Sequence, residues 1–249
     1  MSALTVLLSG NLSGSGRLIQ SLEHLSNTLL TLDSSIPLPA TPAVSDLMVR
    51  PFLVRSMLEV GCTLLIGRLD SFRLLCIAQL QSQSSYDPGE KLAGAIQWSG
   101  DILSADGAPT KMWNPSKLPR DMTRALLGDY VNELIYQPAF VAMLDELTRD
   151  GRATSHGPWT EDLLNTEPTR LVPRLRSTAS RLYSATSKGV HQEFVLSVAN
   201  YYDRPTIEDL ANETRKLLGT LGLVTNFAES ALFRLPADQA IELYEEIQS

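Results

Sequence analysis

Leucines at 18, 22, 25, 29 and 32 step by four and three, so Arg17 to about Leu32 is predicted to be a helix with a narrow apolar seam suited to antiparallel packing. Pro37, Pro39 and Pro42 end that pattern, since proline lacks the backbone N–H that a helix needs. The stretch reads as a stiff loop between two helices, with residues 34–44 as a candidate hinge. From Pro51 to about Gln81 a long central helix is predicted, with Pro51 in its first turn, where its missing N–H would be unpaired anyway. Phe52, Leu53, Leu58, Leu65, Ile66, Leu69, Phe72 and Leu75 leave that helix little polar surface, which places it at the centre.

Ser82 to Gly89 reads as a loop and Glu90 to Leu103 as a short helix. Gly107, Pro109, Pro115 and Pro119 make Ser104 to Arg120 irregular. Asp121 to Thr148 follows as one helix or as two pieces divided at Pro138, and residues 163–165 are helical at most briefly. Pro173 is predicted to begin a helix reaching about Tyr202, which Asp203-Arg204-Pro205 breaks. Thr206 with Glu208 and Asp209 resembles a capping box that opens a helix to about Leu221. Pro236 opens the last helix, with Ile241, Tyr244 and Ile247 on one face. Alternation with period two is weak and no repeat is visible. The expectation is an all-α, up-and-down helical bundle with a buried central helix, one domain over 1–249.

Composition narrows this further. Hydrophobic residues at 43% and charged ones at 20% exclude wholesale disorder. A formal charge of −7 argues against non-specific coating of DNA. Cys62 and Cys76 would stand about 21 Å apart on a straight helix, too far to bridge, and read as two small buried hydrophobes. His24, His156 and His191 are scattered and pair with no cysteine spacing, so neither a metal nor a cofactor is expected. The first ten residues lack a positive segment and a long enough apolar run for a secretory signal. Val54 to Leu69 carries Arg55, Glu59 and Arg68, each costly at bilayer depth, which favours a core helix over a membrane span. A cytoplasmic location follows as the expectation.

Four features are candidates for chemistry. Gly10, Gly14 and Gly16 suggest a phosphate cradle, but the lysine of a P-loop is missing and a flexible entry to the first helix accounts for them better. Arg55 and Glu59, one turn apart on an apolar helix, read as a buried polar pair, either a site or an internal ion pair. The window from Pro168 to Gln192 holds Arg170, Arg174, Arg176, Arg181 and Lys188 without any acid. Arg174, Arg181 and Lys188 recur every seven residues and so share a helix face. That stripe can grip phosphates of RNA or DNA, or meet the acids at 208, 209 and 213 or at 242, 245 and 246 in this fold or a dimer. His191, with Ser187 and Lys188 four and three residues before it, is a candidate general acid or base, or a polar core residue bonded to a hydroxyl.

Tyr183-x-x-x-Ser187-Lys188-Gly189-Val190-His191, taken with Arg55-Ser56-Met57-Leu58-Glu59, resembles the HEPN-type helical domains of bacterial defence and toxin–antitoxin proteins. The resemblance covers about a quarter of the chain, in two separated places. It implies a helical fold and, in active members, a dimer that cleaves RNA without a metal, using an arginine and a later histidine with four to six residues between them. For His191 that arginine would fall at Ser184, Ala185 or Thr186, and Arg181 lies too far upstream. Arg17 and His24 meet the spacing on the first helix, while Arg152 and His156 are one residue too close. The resemblance therefore implies a non-catalytic member acting through a protein partner or as a homodimer. A metal-independent ribonuclease and a nucleic-acid-binding module using the 170–188 stripe are the alternatives.

Overall fold

The leucine seam of the first predicted helix is met by a helix over Arg17–Ser35, with Leu22 and Leu29 buried and Leu18, Leu25 and Leu32 packed at the margin of the core. The computed structural model describes residues 2–87, 102, 126–128, 131–149, 157–187 and 202–248. Among them every regular element is helical: α1 (Ala3–Ser9), α2 (Arg17–Ser35), α3 (Val44–Leu69), α4 (Ser71–Gln81), a π turn (Asn132–Tyr136) running into α5 (Gln137–Leu147), α6 (Pro158–Leu164), α7 (Pro168–Ser187), α8 (Arg204–Phe227) and α9 (Ala237–Gln248). The fold is an all-α bundle.

Several boundaries differ from the expectation, each for a local reason. The long central helix is two. Asp70 ends α3, then accepts a bond from the Arg73 N–H at 3.1 Å as the N-cap of α4 and pairs with the Arg73 guanidinium. Nor does α3 begin at Pro51. It begins at Val44, where the Asp46 carboxylate accepts from the Ala43 N–H at 2.9 Å, and Pro51 sits inside the helix. Phe72, expected in the core, is 76% exposed, because the break at Asp70 turns α4 onto a new axis. Pro138 falls in the first turn of α5, and the π turn before it accommodates the lost N–H. α7 starts at Pro168, five residues before Pro173, and is described to Ser187; the remainder of the predicted Pro173–Tyr202 helix lies outside the described residues, as does the predicted Glu90–Leu103 helix apart from Ile102. The cap of α8 is Asp203, not Thr206: its carboxylate accepts from the Thr206 N–H at 2.9 Å, and the Thr206 hydroxyl first, with that N–H second, holds its carboxyl below the usual range.

α3 and α8 together form the centre. α2, α7 and α8 pack on α3, while α1, α5, α7 and α9 pack on α8. The two central helices cross where Gly61 admits Leu218; a methyl at Gly61 would stand 2.7 Å from the Leu218 methyls. α8 runs six residues past its predicted end, and Leu217 to Asn226 is buried throughout. The proline connector is tied from both sides: Arg50 donates to the Ile36 carbonyl at 3.1 Å, and Arg204 donates to the carbonyls of Pro39 and Ala40.

α1 had no counterpart in the sequence pattern, yet Leu4, Leu7 and Leu8 are core residues. Arg68 holds it there. Its guanidinium, 0% exposed, donates to the Leu7 and Leu8 carbonyls at 3.1 and 3.3 Å, to Leu232 O at 3.0 Å and to Asn226 Oδ1 at 3.4 Å. Arg68 lies in the last turn of α3, Leu7 and Leu8 in the last turn of α1, and Asn226 in the last turn of α8. Residues from the last turns of three helices therefore meet around one cation, and the negative end of α1 gives it two carbonyls. Burial lowers the pKa of Arg68 to about 10, which leaves it charged at neutral pH.

Candidate functional site

The two segments singled out in the sequence come together. Arg55 on α3 and Tyr183 and Ser187 on α7 lie 128 and 132 residues apart in the chain. The Arg55 guanidinium stands 4.1 Å from the Tyr183 ring centroid, donates to the Tyr183 hydroxyl, and donates to Ser187 Oγ at 2.8 Å. Its Nε donates to Glu59 Oε1 at 3.1 Å. Ser187 in turn donates to the Tyr183 carbonyl. Helical spacing explains the arrangement, because 55 and 59 share one face of α3 and 183 and 187 share one face of α7. The group is half-buried, with side-chain exposures of 26% for Arg55 and 41% for Glu59. Each nitrogen of the guanidinium already has a partner, so the cluster joins α3 to α7 as a closed set of bonds and does not present a free cation.

Along α7 the basic stripe meets acids of this same fold. Arg174 bonds Asp162 of α6 at 2.9 Å, Lys216 of α8 bonds the other oxygen of Asp162 at 2.9 Å, and Arg181 bonds Glu213 of α8 at 2.6 Å. Partial burial pushes the Asp162 carboxyl up, but Lys216 and Arg174 outweigh it and hold the carboxyl below its ordinary value. Glu213 is among the acids the sequence offered as partners; Asp162 is not, because nothing in the pattern placed α6 beside the stripe. All five side chains are between 37% and 54% exposed, so each pair contributes at most about 1 kcal/mol. Arg176 turns away from the stripe and donates to the Leu127 carbonyl at 2.8 Å.

Lys188, Gly189, His191, Arg152 and His156 lie outside the described residues. Arg17 and His24 are both exposed on α2. Arg17 donates to the Ala78 carbonyl at 2.9 Å and to the side chains of Gln79 and Ser82, so it ties the start of α2 to the end of α4. Between α2, α3 and α4 lies a cavity of about 550 Å³, which Arg17, His24 and Glu59 help to line. No spacing along the chain announces it, since its walls come from three helices with Ile102 and form only when α4 folds back from Asp70.

The glycine loop serves packing. Gly10, at φ +71°, closes α1, and a methyl there would lie 2.0 Å from the Phe233 carbonyl oxygen. Cys62 is buried, as expected, and burial, with the Glu59 charge second, pushes its thiol up to about 12. Cys76 is exposed, contrary to expectation, because it faces outward on α4 beside Phe72 and Leu80. Among the described residues no helix is long and apolar enough to cross a membrane. Compared with protein-family models, with curated proteins and with solved structures, the chain matches none.

Proposed function

We propose that the protein is a HEPN-like helical component of a bacterial defence or toxin–antitoxin module, working in the cytoplasm by protein–protein contact and not by catalysis. The observation that carries the contact reading is the outer face of α4. Phe72, Cys76 and Leu80 recur every four residues, Phe72 is 76% and Leu80 43% exposed, and Cys76 between them is exposed as well. Four-residue steps keep the three on one line, and an aligned apolar strip on a charged surface is the usual mark of a contact.

The polar groups support the same reading. Arg55 is fully engaged, Arg174 and Arg181 are paired with acids, and Arg17 braces α4. The test has two arms. Purified protein, beside His24→Ala and His191→Ala variants, is incubated with total RNA; no cleavage above background is expected, and RNA loss abolished by either substitution overturns the proposal. In the second arm, the Phe72→Ser/Leu80→Ser variant is expected to lose the homodimer or the partner that the parent retains on affinity capture from the native cell, with an unchanged circular dichroism spectrum. Retention at parental yield would remove α4 as the contact.

A further inference from the structure

The inner face of α4 points to a second role. At about 550 Å³, the cavity between α2, α3 and α4 has the size that holds small organic molecules. Val60 of α3 with Leu74 and Ile77 of α4 gives it apolar walls, while Arg17 and His24, two turns apart on α2, line it from one helix face.

Its charge is asymmetric. The short connector makes α2 and α3 antiparallel neighbours, and they are level where Leu22 meets Gly67: a methyl on Gly67 would fall 2.8 Å from the Leu22 side chain. Arg17 lies on one side of that level and Glu59 on the other, roughly 20 Å apart along the helix axes. Glu59 is an acid already paired with Arg55 at 3.1 Å. Arg17 has three hydrogen-bond acceptors among the described residues, the Ala78 carbonyl and the Gln79 and Ser82 side chains, and none of the three carries a charge. The cavity thus has a cationic end, an apolar middle and an end where the Glu59 carboxylate is matched by Arg55.

We infer that the cavity binds an amphipathic monoanion, a medium-chain carboxylate, with the carboxylate on Arg17 and the carbon chain along Val60, Leu74 and Ile77. Charge-assisted hydrogen bonds from a guanidinium suit a carboxylate, and the walls suit a chain. In the reversed orientation the carboxylate would meet Glu59, whose cation, Arg55, is already engaged. This inference is independent of the contact made by the outer face of α4.

Calorimetric titration with decanoate, decanol and decyltrimethylammonium, each below its micelle concentration, tests it. One molecule of decanoate per chain is expected, bound at least about tenfold more tightly than decanol, with the cationic amphiphile weakest. Arg17→Gln is expected to bring decanoate and decanol level, and Arg17→Lys to keep part of the preference. Ile77→Trp, which fills the cavity, is expected to abolish binding of both. Absence of decanoate binding, equal affinity for acid and alcohol in the parent, several equivalent sites, or a preference that survives Arg17→Gln would each overturn the inference.

Discussion

Replacing Arg68 by methionine roughly keeps the stem of the side chain and removes the cation at the meeting point of α1, α3 and α8. The carbonyls of Leu7, Leu8 and Leu232 then lose this donor, while Asn226 Oδ1 keeps the Leu235 N–H at 2.7 Å. Leaving a buried acceptor unpaired costs about 1–3 kcal/mol, so three cost about 6 kcal/mol at the middle of that range. Against this, methionine relieves the burial of a charge. A pKa lowered from 12.5 to about 10 corresponds to roughly 3 kcal/mol held against the guanidinium at neutral pH. The net expectation is a loss of about 3 kcal/mol, the low end of what buried charged groups stripped of a partner show. For a chain of this length that lowers Tm by about 6–12 °C. Urea unfolding followed by circular dichroism at neutral pH measures it. Arg68→Lys should fall between parent and Arg68→Met, because one ammonium cannot reproduce the spread of the guanidinium fork. A methionine variant within about 1 kcal/mol of the parent would refute the reasoning, and with it the idea that three helix ends are tied through this side chain.

Three further expectations follow from single contacts. Gly10→Ala should destabilise by at least about 2 kcal/mol, since a left-handed backbone and a methyl against the Phe233 carbonyl both oppose it; a neutral result in thermal unfolding would return the glycine loop to ligand binding. A double-mutant cycle between Arg55→Ala and Tyr183→Leu should show a coupling of about 1 kcal/mol, the size of a half-exposed cation–π pair with a hydrogen bond; additivity would mean that the two side chains are neighbours without interaction. Cys76 should react with a thiol reagent at once and Cys62 only on unfolding. The Cys62 pKa is raised from 9.0 to about 12 by folding, so its contribution to stability is complete below pH 9 and is lost as pH climbs from there through 12; burial raises Tyr136 and Tyr244 in the same direction. Urea midpoints that fail to drop between pH 9 and 11 would contradict this.

The fold class was legible because it rests on periodicity. The leucine seam of α2 and the apolar run after Val54 state their helical spacing directly, and both helices are present. What was illegible depends on tertiary partners. α1 is seven residues long, too short to be stable alone, and it exists as a helix because Arg68 and the underside of α8 receive it. The break at Asp70 is a matter of one cap: nothing in the run of apolar residues distinguishes a bend there from a straight helix until the Asp70 carboxylate is seen on the Arg73 N–H. That bend exposed Phe72 and Cys76 and created the cavity, so these two features, neither legible in the chain's pattern, have one origin.

Polar residues were read with the opposite balance. Helical spacing places 55 with 59, and 183 with 187, on shared faces, but no spacing rule relates positions 128 residues apart. Their convergence on one guanidinium is what the packing of α3 against α7 adds. The same reasoning separates Arg55 from Arg68. Both sit on α3 among apolar residues, thirteen positions apart, and the sequence treats them alike. Arg55 faces a tyrosine, a serine and a carboxylate at the edge of the core, where its charge is neutralised by a side chain and partly by water. Arg68 faces mostly backbone carbonyls in the dry interior, two from the end of α1 and one from Leu232 between α8 and α9. An arginine in a core needs acceptors, and whether they are side chains or helix termini is decided by which element arrives opposite.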